Sequence, residues 1–141
     1  MPKPALEFFP VASVPWTVVS PGVSERVLAR DPGDGTLTRI LRWEPGLDTS
    51  ALGPALHDYA EEVLILSGSM RDLTLDATFR AGDYACRPPG MAHGPWVTED
   101  GCEMLEVRHS RRCIHILCRS VRESVRSIHT GLGTRGRWGS R

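Results

Sequence analysis

Residues 55–68 read ALHDYAEEVLILSG. Two carboxylates, Glu61 and Glu62, open an apolar run, and His57 stands four residues before the first of them. After the glutamates both parities are apolar, with Val63 and Ile65 in phase with Glu61, and Leu64 and Leu66 in phase with Glu62. Side chains alternate across a strand, so this run is expected to be a central strand covered on both sides. Glu61 and Glu62 then face opposite ways. A carboxylate buried at the head of such a strand costs several kcal/mol or more if left unpaired, and a bound cation would offset that cost.

Outward from this stretch the chain keeps a β pattern. Short runs such as VSERVLA from Val23, GTLTRILRW from Gly35, YACRP from Tyr84 and CEMLEVR from Cys102 are divided by turn signals, among them Asp31-Pro32-Gly33 and Pro88-Pro89-Gly90. Proline fixes φ and glycine admits positive φ, so each signal marks a reversal. Many short strands without an intervening helical period predict an all-β sandwich or barrel. WTVVS, residues 16–20, reads as a short first strand inside a proline-punctuated lead-in over residues 1–22 that packs on the barrel.

With 141 residues, one domain and one core are expected. No apolar stretch approaches the roughly 20 residues that span a bilayer, and the start of the chain lacks the pattern of a signal peptide. The expected compartment is the cytoplasm, with no membrane partner. The cysteines, Cys86, Cys102, Cys113 and Cys118, form no CxxC pair and are expected as thiols; Cys86 and Met104 are assigned to the core. Charge is unevenly placed: residues 1–108 carry nine basic against sixteen acidic side chains, and residues 109–141 carry eight arginines against Glu123 alone. In this basic tail Ile114, Leu117, Val121, Val125 and Ile128 recur at helical spacing, which predicts an amphipathic helix over 111–128 followed by disorder. Apart from Trp138 the tail interleaves no aromatics with its arginines, and nucleic acid is not an expected partner.

His57, Glu61 and the distant His93 are the candidate metal ligands. Two imidazoles and one carboxylate with open positions suit a divalent transition metal, Fe(II) first, with Ni, Mn or Zn in its place. HDYAEEVLILSG followed by GDYACRPPGMAH resembles the two motifs of the cupin superfamily, small jelly-roll β-barrels. The first of those motifs places His57, Glu61 and the closing Gly68; the second places Gly82, Pro88, Gly90 and His93. The resemblance covers roughly residues 23–108, and its wording is most similar to the anti-sigma-factor and acetylacetone-dioxygenase types. Two positions depart from it. Ala55 stands where the first motif usually has another histidine, and Val97 where the second usually has asparagine.

The resemblance implies a single cupin barrel and a small metal-dependent enzyme, an oxygenase acting on a chelating organic substrate such as an enolisable diketone or catechol-like compound. Isomerase or lyase chemistry would use the same centre. Tyr59, Trp96 and Arg42 are the candidate walls of its substrate pocket, and Arg39 and Arg87 are further cations able to face an anion. Two other readings stand beside it: a non-catalytic module that senses a metal or ligand, and a metal-free structural barrel. Pairing of two copies is expected, with Leu64 and Leu66 on the face away from the site available for it.

Overall fold

The computed structural model describes residues 3–110. Eight strands follow in chain order: β1 Thr17–Ser20, β2 Val23–Arg30, β3 Leu37–Trp43, β4 Ala60–Asp72, β5 Ala77–Arg80, β6 Tyr84–Arg87, β7 Trp96–Val97 and β8 Cys102–His109. Helical turns among the described residues are limited to two short 3-10 segments, Val11–Ser13 and Ser50–Leu52. Hydrogen bonding runs β1-β2-β3-β8-β4-β5, and β6 and β7 also pair with β4. The last strand therefore inserts between β3 and β4, and every pairing is antiparallel. This is an all-β barrel, as the turn pattern predicts, of the jelly-roll type that the cupin resemblance implies. The tail beyond residue 110, with the helix expected over 111–128, lies outside the described residues.

Strand β4 organises the barrel. Its first half pairs with β6 and β8, its second half with β5 and β7, and its register against β8 shifts between Ile65 and Ser67. An extra residue at such a shift bends the strand and reverses which parity points inward. Before it Glu61, Val63 and Ile65 are buried; after it Met70 and Asp72 are. Gly68 follows the bend with φ 73°, and a Cβ there would lie 2.0 Å from the carbonyl oxygen of Gly101. Only glycine fits that approach.

The core collects Leu41, Val63, Ile65, Met70, Trp96, Cys102 and Met104, with Val23, Trp43 and Phe79 packed against it. Burial pushes the Cys102 thiol up to about 11, so it remains a protonated packing group. Two expectations are corrected. β4 is central but covered on one side, since Leu64 is half-buried and Leu66 is 46% exposed. Cys86 is exposed, because its parity on β6 places it outward with Tyr84.

β1 extends the sheet beyond β2, so the lead-in contributes a strand. Trp16, just before it, lies between the guanidinium groups of Arg26 and Arg42, 4.3 and 3.9 Å from its ring centre. Each such contact is worth about 0.5–1 kcal/mol at an exposed site.

Candidate metal centre

The site forms where β4 begins. Glu61 occupies an inward position and is only 6% exposed. His57 precedes the strand, and the loop after β6 brings His93 back to it. Backbone pairing aligns the two segments: Ala55 and His93 exchange N–H···O bonds of 2.8 and 3.2 Å, and Gly90 donates to the carbonyl of His57 at 2.8 Å. The three donor atoms all lie within 4.8 Å of one another. Nε2 of His57 is 3.9 Å from Oε1 of Glu61, and Nε2 of His93 is 3.5 Å from Oε2.

These separations suit one metal ion. Metal bonds of about 2.1 Å put two donors about 3 Å apart when adjacent and about 4.2 Å apart when opposite. Both quoted distances fall in that interval, and the widest separation needs to contract by about half an ångström. The imidazoles are prepared for the role. Nδ1 of His93 lies 3.0 Å from the carbonyl oxygen of Met91; a carbonyl only accepts, so Nδ1 carries a proton, and Nε2 is the nitrogen that faces Glu61 and would bind a metal. His57 stacks on Tyr59, with ring centres 4.6 Å apart. Burial holds the His57 pKa below its ordinary value against the opposing pull of Glu61, with His93 and Arg108 pushing the same way as burial. A neutral ring is the form that binds a metal.

Glu61 is also held by protein. Arg87 donates through Nη1 to Oε2 at 2.7 Å and lies over the Trp96 ring at 5.3 Å. Beyond it, Arg39 donates through Nε and Nη2 to the two carboxylate oxygens of Glu106 at 3.1 and 2.9 Å, and through Nη1 to Glu25 at 2.6 Å. Arg108 bonds the same Glu106 through Nε. A cavity of about 330 Å³ opens over this array, lined among others by Ala55, His57, Glu61, His93, Trp96 and Arg108. A second cavity of about 280 Å³, largely apolar, lies across a wall shared by Val63, Met70, Arg87, His93 and Trp96.

The loop that carries His93 is fixed from the far end of β4. Asp72, 1% exposed, accepts from the backbone of Thr74 and Leu75 through Oδ1 at 2.8 and 2.9 Å, and from Gly94 through Oδ2 at 2.9 Å. Thr74 donates its hydroxyl to the carbonyl of Gly94 at 2.6 Å. A buried carboxylate with three backbone donors is strongly held.

Of the residues expected at the site, His57, Glu61, His93 and Trp96 line the cavity, and Tyr59 stands behind His57. Arg42 does not line it. The alternation of β3 turns Arg42 outward, where it pairs with Glu103 at 2.8 Å; its neighbour in the opposite phase, Arg39, faces in. Glu62 turns away from Glu61, as expected, and meets the Tyr84 hydroxyl at 2.8 Å and His109 Nε2 at 3.0 Å. Glu106, Arg108 and Asp72 were not anticipated. The first two are in phase with Cys102 and Met104 in CEMLEVR, which is the signal that marks them as inward.

An antiparallel barrel with imidazoles and a carboxylate gathered in its interior defines a cupin. The chain belongs to the ChrR cupin-like domain family, whose model matches residues 6–111. Among curated protein sequences none matches. Solved structures do. An RmlC-like cupin from Shewanella frigidimarina superposes with a TM-score of 0.61 at 14% identity, over 76% of this chain and 94% of that one. An acetylacetone dioxygenase from Acinetobacter johnsonii gives 0.60 at 16% identity, over 74% of each chain. A Rhodobacter sphaeroides structure of SigE in complex with the anti-sigma ChrR gives 0.54 at 26% identity, over 69% of this chain and half of that one.

Proposed function

We propose that the protein is a metal-dependent cupin enzyme, a dioxygenase in type, that acts on a small chelating organic molecule. The observation that carries this reading is the three-donor cluster on the wall of an open cavity, with a methyl group at Ala55 in place of a further donor. Structural metal sites are closed by four protein ligands, whereas catalytic ones keep a position open. His57, Glu61 and His93 would hold the ion, Fe(II) by the chemistry of the donor set, with Ni, Mn or Zn as substitutes.

A divalent ion there would supply Lewis-acid stabilisation of an enolate and, as Fe(II), reactivity toward O2. The chain does the rest. Tyr59 fixes the plane of His57, the Met91 carbonyl fixes the tautomer of His93, and Arg87 fixes the carboxylate of Glu61. Trp96, Val63 and Met104 give the cavity apolar walls that exclude water beside the donors.

The test is metal content of untagged protein loaded with Fe(II), Zn(II) or Ni(II), beside His93→Ala. Stoichiometric metal in the wild type and loss in the variant are expected; equal content in both would sink the reading. Oxygen uptake with an enolisable diketone then separates an oxygenase from an isomerase or lyase.

A sensing module is the second reading, favoured by the likeness to the anti-sigma ChrR complex. Its mark would be a change of oligomeric state or partner affinity on metal removal, without turnover.

A further inference from the structure

We infer that the ligand of this centre is a dianion: a chelating head group that meets the metal, and a second carboxylate that docks on Arg108. The inference rests on reading His57, Glu61 and His93 as a metal centre.

Its basis is the row of charges across the barrel wall. In register, Glu61 stands between Arg87 on β6 and Arg108 on β8. Residues directly opposite on neighbouring strands have Cβ atoms about 5 Å apart, so both arginines emerge beside the carboxylate. They differ in what they have left to give. Arg39, one row further on, has all three guanidinium nitrogens engaged by Glu106 and Glu25. Arg87 is tied to Glu61 and covered by Trp96. Arg108 uses only Nε, on a glutamate that Arg39 already holds, and among the described residues its two Nη nitrogens have no partner. Its side chain is 27% exposed and lines the cavity, and its guanidinium lies over the Tyr59 ring at 4.7 Å, which restrains its plane. A restrained planar fork with free N–H pairs is suited to a carboxylate.

The charge balance points to the same ligand. Arg39, Arg87 and Arg108 are matched by Glu25, Glu61 and Glu106 before any metal enters. A divalent ion leaves two positive charges uncompensated in a partly buried cavity. A chelating monoanion offsets one of them. The second negative charge belongs where unused donors are, at Arg108. A cavity of about 330 Å³ is at the small end of ligand sites and accepts a molecule the size of a short 2-oxo dicarboxylate.

Two probes share one chelating head and differ in the distal carboxylate: 2-oxoglutarate and 2-oxobutyrate. Their affinities are measured by calorimetry on the Zn(II)-loaded full chain, after metal content is determined on the same samples. At least tenfold tighter binding of 2-oxoglutarate is expected in the wild type. Arg108→Gln erases that preference while moving the 2-oxobutyrate affinity less than threefold, and Arg108→Lys retains part of it. Glu106 keeps Arg39 when Arg108 is replaced, so both variants are expected to fold, which their melting curves verify. A metal-loaded wild type without the preference overturns the anion site, as does an Arg108→Gln variant that keeps it. A wild type that retains no metal overturns the centre itself and the anion site with it.

Discussion

Arg87 reaches across from β6 and donates to Glu61, the carboxylate that stands between His57 and His93. Removing one member of a buried ion pair typically costs about 3–5 kcal/mol, because the other charge is left uncompensated. Both side chains are about nine-tenths buried here. Arg87→Gln is therefore expected to destabilise the metal-free protein by an amount of that order in urea unfolding. The freed carboxylate then gains more from a cation, so the rise in melting temperature on adding Zn(II) should exceed that of the wild type. An equal rise would show that Arg87 and the metal do not share Glu61.

Ala55 offers the complementary change. Its backbone pairs with His93 and its methyl group lines the cavity. Ala55→His adds an imidazole beside the three donors, and at least tenfold tighter Zn(II) binding is expected in competition with a chromophoric chelator. The added ligand also occupies an open position, so affinity for a chelating probe should fall as metal affinity rises.

Asp72 touches none of the donors, yet it holds the backbone next to His93. In Asp72→Ala the amides of Thr74, Leu75 and Gly94 lose their acceptor; buried groups left unsatisfied cost about 1–3 kcal/mol each. A loss of several kcal/mol in urea unfolding is expected, together with weaker Zn(II) binding. Unchanged metal affinity in a folded variant would show that the His93 loop is set without Asp72.

The depressed pKa of His57 gives a pH dependence of known sign. Below the ordinary histidine value the unfolded chain takes up the proton that the folded protein resists. Stability of the metal-free protein is therefore complete above about pH 6.5 and declines as pH falls from there toward the lowered folded value. Melting temperatures of wild type and His57→Asn between pH 7.5 and 5 should diverge at neutral pH and converge in acid. Parallel curves would mean that His57 titrates as it does in the unfolded chain.

Much of this was legible in the residues. Turn chemistry and strand parity announced an all-β sandwich or barrel, and the resemblance to the two cupin motifs implied that His57, Glu61 and His93 share one site. Parity also separated Glu61 from Glu62 correctly. What parity hid begins at the register shift between Ile65 and Ser67. Counted straight through β4, Met70 and Asp72 fall in the outward phase; the bend turns them inward. The choice of Arg42 over Arg39 failed for another reason. Each face of β3 carries one arginine, and which face looks inward is decided by pairing with β8, where Arg39 meets Glu106 and Arg42 meets Glu103. That is a fact about distant residues, invisible in a local window.

The bend between Ile65 and Ser67 also decides how the centre responds to changes in chain length. β4 carries Glu61 at one end and the anchor of the His93 loop at the other, so the strand works as a gauge between two donors that lie far apart along the chain. One residue inserted before the bend would turn Glu61 out of the cavity or Asp72 out of its loop.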